Sequence, residues 1–184
     1  MKTIIVLFVT FIFNLAQAHI LLKDGGISGG GGNVISPTAP QKLQDPYSVR
    51  VDVMASRKIL KKFIQAKHDL YIFNNMNAED KRIYSILFED NSHGILEAMN
   101  DVPLFIPVYE PCYDLTGNPY DGAAVNAESH AVCISAFNLA LKVDKSDIGI
   151  QAAALILHEL SEVAGLKDED AIYLQNQLIK EYKF

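Results

Sequence analysis

The residues best suited to chemistry lie in one apolar stretch, Gln151-Ala-Ala-Ala-Leu-Ile-Leu-His-Glu-Leu-Ser-Glu-Val-Ala-Gly165. It reads as a helix through a core. His158 and Glu162 are four positions apart, so they project from one helical face one turn from each other. Two ligands at that spacing can clasp one metal ion, and Glu159, turned aside from that pair, is placed to accept a proton from an attacking water. A third ligand has to come from elsewhere. The turn at Gly165 folds the chain back, which brings Asp168, or alternatively Glu169, within reach. The competing reading is an ion pair between His158 and Glu162 with no metal.

The elements that must hold this helix are readable around it. Asp144–Asp147 offers several start signals, and the helix is predicted over 148–164, with Ile150, Ala153, Ala154, Leu157, Val163 and Ala164 making most faces apolar. Gly165 suits the position just past its end. Asp168 is expected to cap a last helix that carries Leu174, Leu178 and Tyr182 along one side. Upstream, order is expected from about Ser48, with a helix through Val49, Val53 and Ile59–Ile64. His68–Phe73 suits either a strand or a helix turn. A second helix is expected over Ala78–Phe88, capped by Asn77, and a short one over Gly94–Met99. Residues 103–109 read as a strand that Pro103 and Pro107 confine to an edge. Residues 130–135 read as a second strand, followed by a helix over Ala136–Val143 capped by Ser135. Between them, 111–122 is turn-rich.

The N-terminus has the pattern of a secretory signal: Lys2, an apolar run over Ile4–Leu15, then Ala16-Gln17-Ala18 as a cleavage site. A secreted or periplasmic location follows, with cleavage after Ala18 and no stable membrane span thereafter; a retained anchor is the other reading of this segment. Gly25–Asn33 holds six glycines in nine residues, which excludes a helix there. Without the context of a phosphate-binding loop it reads as part of a flexible leader over 19–47, ahead of a single domain over 48–184. In an oxidising compartment Cys112 and Cys133 read as one disulfide, against the alternative of two buried thiols. The formal charge is −6 and no basic cluster is present, which argues against nucleic acid as a partner.

The segment Leu157–Ala171 resembles the catalytic segment of zincin-type (gluzincin-like) metallopeptidases, and 111–135, with its Cys pair, is similar to small exported bacterial proteins that carry the pair ahead of an intact His-Glu-x-x-His motif. The resemblance spans roughly Val102 to Gln175. It implies His158 as first metal ligand, Glu159 as general base, Asp168 as the acidic ligand, and zinc as cofactor, other divalent metals or none being the alternatives. Position 162 departs from the family, with Glu where the motif has His. A carboxylate can bind zinc. Two neutral His and one carboxylate would leave a zinc site at about +1, whereas His158, Glu162 and Asp168 leave it near zero and activate water less. The oxygen-rich set also moves preference toward harder cations.

Weaker candidates are His130, as a replacement ligand, and Asp114 with Asp121, as calcium ligands whose spacing fits no EF-hand. His68 and His93 are isolated. Ser161 and Ser135 lack a His/acid partner set. Phe105, Tyr109, Tyr113 and Tyr120 read as core and loop packing. The expected fold is α+β, mostly helical, with a small sheet beside the long helix and the last helix folded back over it. The expected function is an exported metallopeptidase-like protein, a weak or inactive metal-dependent hydrolase acting on a peptide or cell-envelope component. The alternative is a degenerate zincin-like domain that binds or builds in the envelope without metal.

Overall fold

The computed structural model describes residues 31–34, 43–89, 102–114, 116–126 and 131–182, and the fold is α+β, with five helices and a small sheet among these residues. The signal expected over 1–18, the helix expected over 94–99, and His93 and His130 lie outside the described residues.

Helix α1 (Pro46–Ile72) starts two residues before the expected onset of order, because Asp45 accepts from the amides of Tyr47 and Ser48 and Pro46 supplies a preset first turn. Its buried Val49, Val53, Ser56, Leu60, Phe63 and Ile64 recur at three- and four-residue steps and form one stripe against the core. The ambiguous stretch from His68 continues this helix as far as Ile72. Helix α2 (Ala78–Phe88) begins at Asn77, whose side chain accepts from the Asp80 amide, as expected.

The sheet has the order β1-β5-β4, with β1 (Leu104–Phe105) at one edge, β5 (Ala131–Ile134) in the middle and β4 (Gly122–Asn126) at the other edge. Strand β1 runs parallel to β5 and β4 antiparallel to it. The edge position of β1 agrees with its flanking prolines, although the strand is only two residues long. Strand β4 corrects the sequence reading, in which Asp121-Gly122 ended a turn region and nothing beyond was taken as strand. Ala123 and Ala124 carry no β-branched signal, and the pairing comes from contact with β5. A hairpin of β2 (Cys112–Tyr113) and β3 (Pro119–Tyr120) lies between.

Cys112 and Cys133 are joined, with Cα atoms 5.9 Å apart. The bond ties β5 to the β2–β3 hairpin. Three aromatics also depart from expectation, since Phe105, Tyr109 and Tyr113 are exposed; Tyr109 meets Tyr47 edge to face.

Ser135 caps α3 (Ala136–Lys142) through the Asn138 amide. Helix α4 (Ile148–Val163) then crosses the core, packed by α1, the sheet and α5 (Asp168–Tyr182). Every residue from Gln151 to Glu162 is buried. It stops in a Schellman turn: Gly165 has φ +96°, its amide donates to the Glu162 carbonyl, and the Leu166 amide donates to the Ser161 carbonyl. Asp168 is the first residue of α5 and not its cap; the Lys167 carbonyl already accepts the Ala171 amide. Among the described residues no helix is long and apolar enough to cross a membrane.

The disulfide closes a loop of 21 positions, so the double variant Cys112→Ala/Cys133→Ala should lose about 3 kcal/mol of unfolding free energy in urea, with a larger m-value because the unfolded chain is no longer cross-linked.

Candidate metal and carboxylate site

Three ionisable side chains on α4 face inward with almost no solvent. His158 and Glu162 are each 2 % exposed at the side chain, and Glu159 is fully buried. One turn of helix separates His158 from Glu162, and the Schellman turn returns the chain so that Asp168 at the start of α5 faces them. Ligand atoms of His158, Glu162 and Asp168 all lie within 4.8 Å of one another. The His158 Nε2 atom is 3.5 Å from Asp168 Oδ1 and 4.0 Å from Glu162 Oε1. Tetrahedral zinc, with bonds of about 2.0–2.1 Å, separates its ligands by about 3.3 Å. The first distance is close to that; the second is longer by about 0.7 Å, so Glu162 has to move toward the ring to share an ion with it. Asp168 is the exposed member of the three, so solvent reaches the group from its side. Glu169 does not join the cluster.

The first turn of α5 is held by more than the loop. Asp170 accepts two hydrogen bonds from the Arg82 guanidinium, at 2.6 and 3.1 Å. Asp80 of α2 accepts from Tyr173 and Gln177. An exposed ion pair contributes little by itself, but the bidentate geometry and the three anchors together fix where Asp168 stands.

Glu159 is engaged from the other side. Its Oε1 accepts the Gly32 amide at 2.7 Å. Gly32 belongs to a four-residue strap, Gly31–Val34. The Gly32 carbonyl accepts the Gly122 amide of β4, the Val34 amide donates to Asp121 Oδ2, and the Asn33 carbonyl accepts from Gln175 on α5. Val34 is part of the core. These four residues were expected to belong to a flexible leader, and they pack instead against the site. The sequence signal for close packing was the glycine run itself, since a residue without Cβ can approach another chain where others cannot. A Cβ on Gly32 would stand 2.8 Å from Glu159 Oε1 and 3.0 Å from the His158 ring.

Asp121, expected in a turn, is buried and paired with Lys142, and it also accepts from Asn138. Asp114 caps its own loop through Thr116 and Asn118, and the two aspartates do not come together as a calcium site among the described residues. Ser161 donates to the Leu157 carbonyl and Ser135 to the Glu110 carbonyl. His68 packs edge-on against Phe88.

Burial decides the protonation of the group. It pushes the Glu159 carboxyl up to about 8, a shift the charges of Glu162 and Asp168 increase and the amides of Gly32 and Ala124 reduce. Burial, with the charge of Asp168, pushes Glu162 up to about 7. His158 is lowered by burial, against the pull of Asp168 and Gln175. Both ring nitrogens of His158, both oxygens of Glu162 and Oε2 of Glu159 lie outside hydrogen-bonding geometry with their described neighbours, with Gln175 close enough to His158 to act on its charge. Buried polar atoms are ordinarily satisfied. A divalent cation held by His158, Glu162 and Asp168 would engage Nε2 of His158 and the Glu162 carboxylate at once, so the donor set fits a metal.

A carboxyl whose pKa is raised on folding makes the folded state hold more protons than the unfolded one, so its contribution to stability falls as pH rises from about 4.5 through 8. His158, lowered from 6.5, works the other way only below about 6.5. In chelator, the unfolding free energy should therefore decline between pH 6.5 and 8.5. The double variant Glu159→Gln/Glu162→Gln should flatten that decline, as read by urea titration at each pH.

No family model, curated protein or solved structure matches this chain, so what the site can do rests on its own residues and their geometry.

Proposed function

We propose that this chain is an exported metallopeptidase-like protein in which His158, Glu162 and Asp168 hold a divalent cation, zinc first, and whose hydrolytic power is weak or lost. The observation that carries the reading is the convergence of three ligand atoms within 4.8 Å, on residues whose buried polar atoms otherwise lack partners. When bound, a metal of this kind polarises a carbonyl and lowers the pKa of water. Glu159 is then the residue that accepts and returns a proton, through the oxygen not engaged by Gly32. His158 and Glu162 hold position because the helix is packed on every face. Asp168 completes the set from α5. The substrate class that goes with this resemblance is a peptide, free or in the cell envelope.

The weakness follows from charge. Glu162 in place of a neutral histidine adds a negative group beside Glu159, where it raises the base further. It also brings the zinc centre near neutrality and so reduces the activation of water. A second reading is a degenerate zincin-like domain with a binding or structural role and no metal. The observation in its favour is the strap, which covers Glu159 and leaves it no open cleft.

Elemental analysis of purified protein separates the two. The first reading expects close to one zinc per chain, with His158→Ala weakening zinc at least about tenfold. Glu159→Gln should keep the metal and abolish whatever peptide hydrolysis is detectable, and Glu162→His should bind zinc more tightly and hydrolyse faster. Metal-free wild type together with a Glu162→His variant that gains neither zinc nor activity would overturn the metal reading.

A further inference from the structure

Strand β4 is an edge strand, and an edge offers unpaired backbone groups to any chain that can lie beside it. Here the Gly122 amide of that edge is taken by the Gly32 carbonyl. The strap has further anchors on three separate elements: Asp121 before β4, Glu159 on α4 and Gln175 on α5. Nearly all of this recognition is of backbone. The Gly32 and Val34 amides and the Gly32 and Asn33 carbonyls are each met by a fixed partner. Burial alternates, with Gly32 and Val34 buried and Asn33 exposed, as on an extended backbone. A Cβ at Gly31 would overlap the Tyr120 ring, and one at Gly32 would press on Glu159 and His158. The path therefore admits two successive glycines and then, two residues beyond, an apolar side chain.

We infer that the cleft between β4, Glu159 and Gln175 is a binding groove for a Gly-Gly-x-Val type of peptide backbone, and that residues 31–34 of this chain fill it in cis. The strap stands where a peptide in trans would stand, and the groove is latent until the strap withdraws. Groove and strap are argued from contacts that require no metal. Only what the opened groove does to a bound peptide rests on the metallopeptidase reading.

Amide hydrogen exchange on the full chain, in chelator and in low concentrations of urea, tests this. The amides of Gly32, Val34 and Gly122 should exchange through one shared local opening, at least about tenfold faster than those of Leu155 and Ile156 in the motif helix. If the three amides exchange only together with the motif helix, the strap is a permanent part of the core and the inference fails. A Gly32→Val variant should expel the strap and speed exchange at Gly122 by at least about tenfold, with α4 still protected. An acetylated and amidated Gly-Gly-Asn-Val peptide should restore protection at Gly122 in that variant, and a Gly-Ala-Asn-Val peptide should not. Equal effects of the two peptides, or none at millimolar concentration, would overturn the groove. Should the variant unfold throughout, the wild-type exchange decides alone. Zinc titration of the same wild-type protein keeps the two readings apart: absence of zinc uptake with a locally opening strap removes only the metal, and zinc uptake with a strap that never opens locally removes only the groove.

Discussion

The constraint on which this structure turns is the placement of three ionisable side chains on a helix that has no wet face. An α-helix through a core has to present every residue to something, and His158, Glu159 and Glu162 present titratable groups. Such groups can remain buried by holding a proton, by facing an opposite charge, or by receiving hydrogen bonds. Here burial drives the groups toward their neutral forms, and one of them also receives a hydrogen bond. Glu159 takes the Gly32 amide and is pushed toward its protonated form. His158 is pushed toward its neutral form. Asp168 brings a further carboxylate to the ring from the exposed side, steadied by the clamp of Arg82 on Asp170. The Schellman turn is what makes this third approach possible, because it reverses the chain within the few residues available.

The identity of residue 162 sets the electrostatics of the whole group. With histidine at 162, Glu159 would have one negative neighbour fewer. With Glu162 there, two carboxyls in one dry space favour protonation of both. A cation reverses that preference, since its charge stabilises both ionised forms. On the proposed metal reading, uptake of an ion would therefore release protons here, and the protonation of Glu159 would depend on whether His158, Glu162 and Asp168 held one.

Much of this arrangement was legible in the sequence where the controlling chemistry is local. Asn77 and Ser135 cap the helices they were expected to cap, Gly165 ends α4 with a positive φ, and flanking prolines keep β1 at an edge. The spacing of His158 and Glu162 required only the helical period. The disulfide partners followed from their number, but the strand they join did not. What could not be read depends on distant partners. Strand β4 has alanines where β-branched residues would have marked it, and it exists through pairing with β5. Asp121 looks like a turn residue until Lys142, Asn138 and the Val34 amide surround it. Gly32 is 127 positions from the carboxylate it meets, and nothing in a glycine run names such a partner. Phe105, Tyr109 and Tyr113, read as core and loop packing, are exposed because a two-residue strand and a small hairpin leave little surface to cover them.

The contact between Gly32 and Glu159 thus joins two properties that are usually separate. It satisfies one oxygen of a buried carboxyl, and it closes the approach to that carboxyl. Withdrawing the strap removes an amide donor from Glu159, at the cost of a charge-assisted hydrogen bond when the group is ionised, and at the same time admits water that can replace the donor. The free energy of opening is therefore set less by the hydrogen bonds of the strap, which water can replace, than by the burial of Val34 in the core. Glycine at 31 and 32 contributes no side-chain burial to that balance. A strap of glycines anchored by one apolar residue can fit closely against the site while its attachment depends mainly on a single side chain.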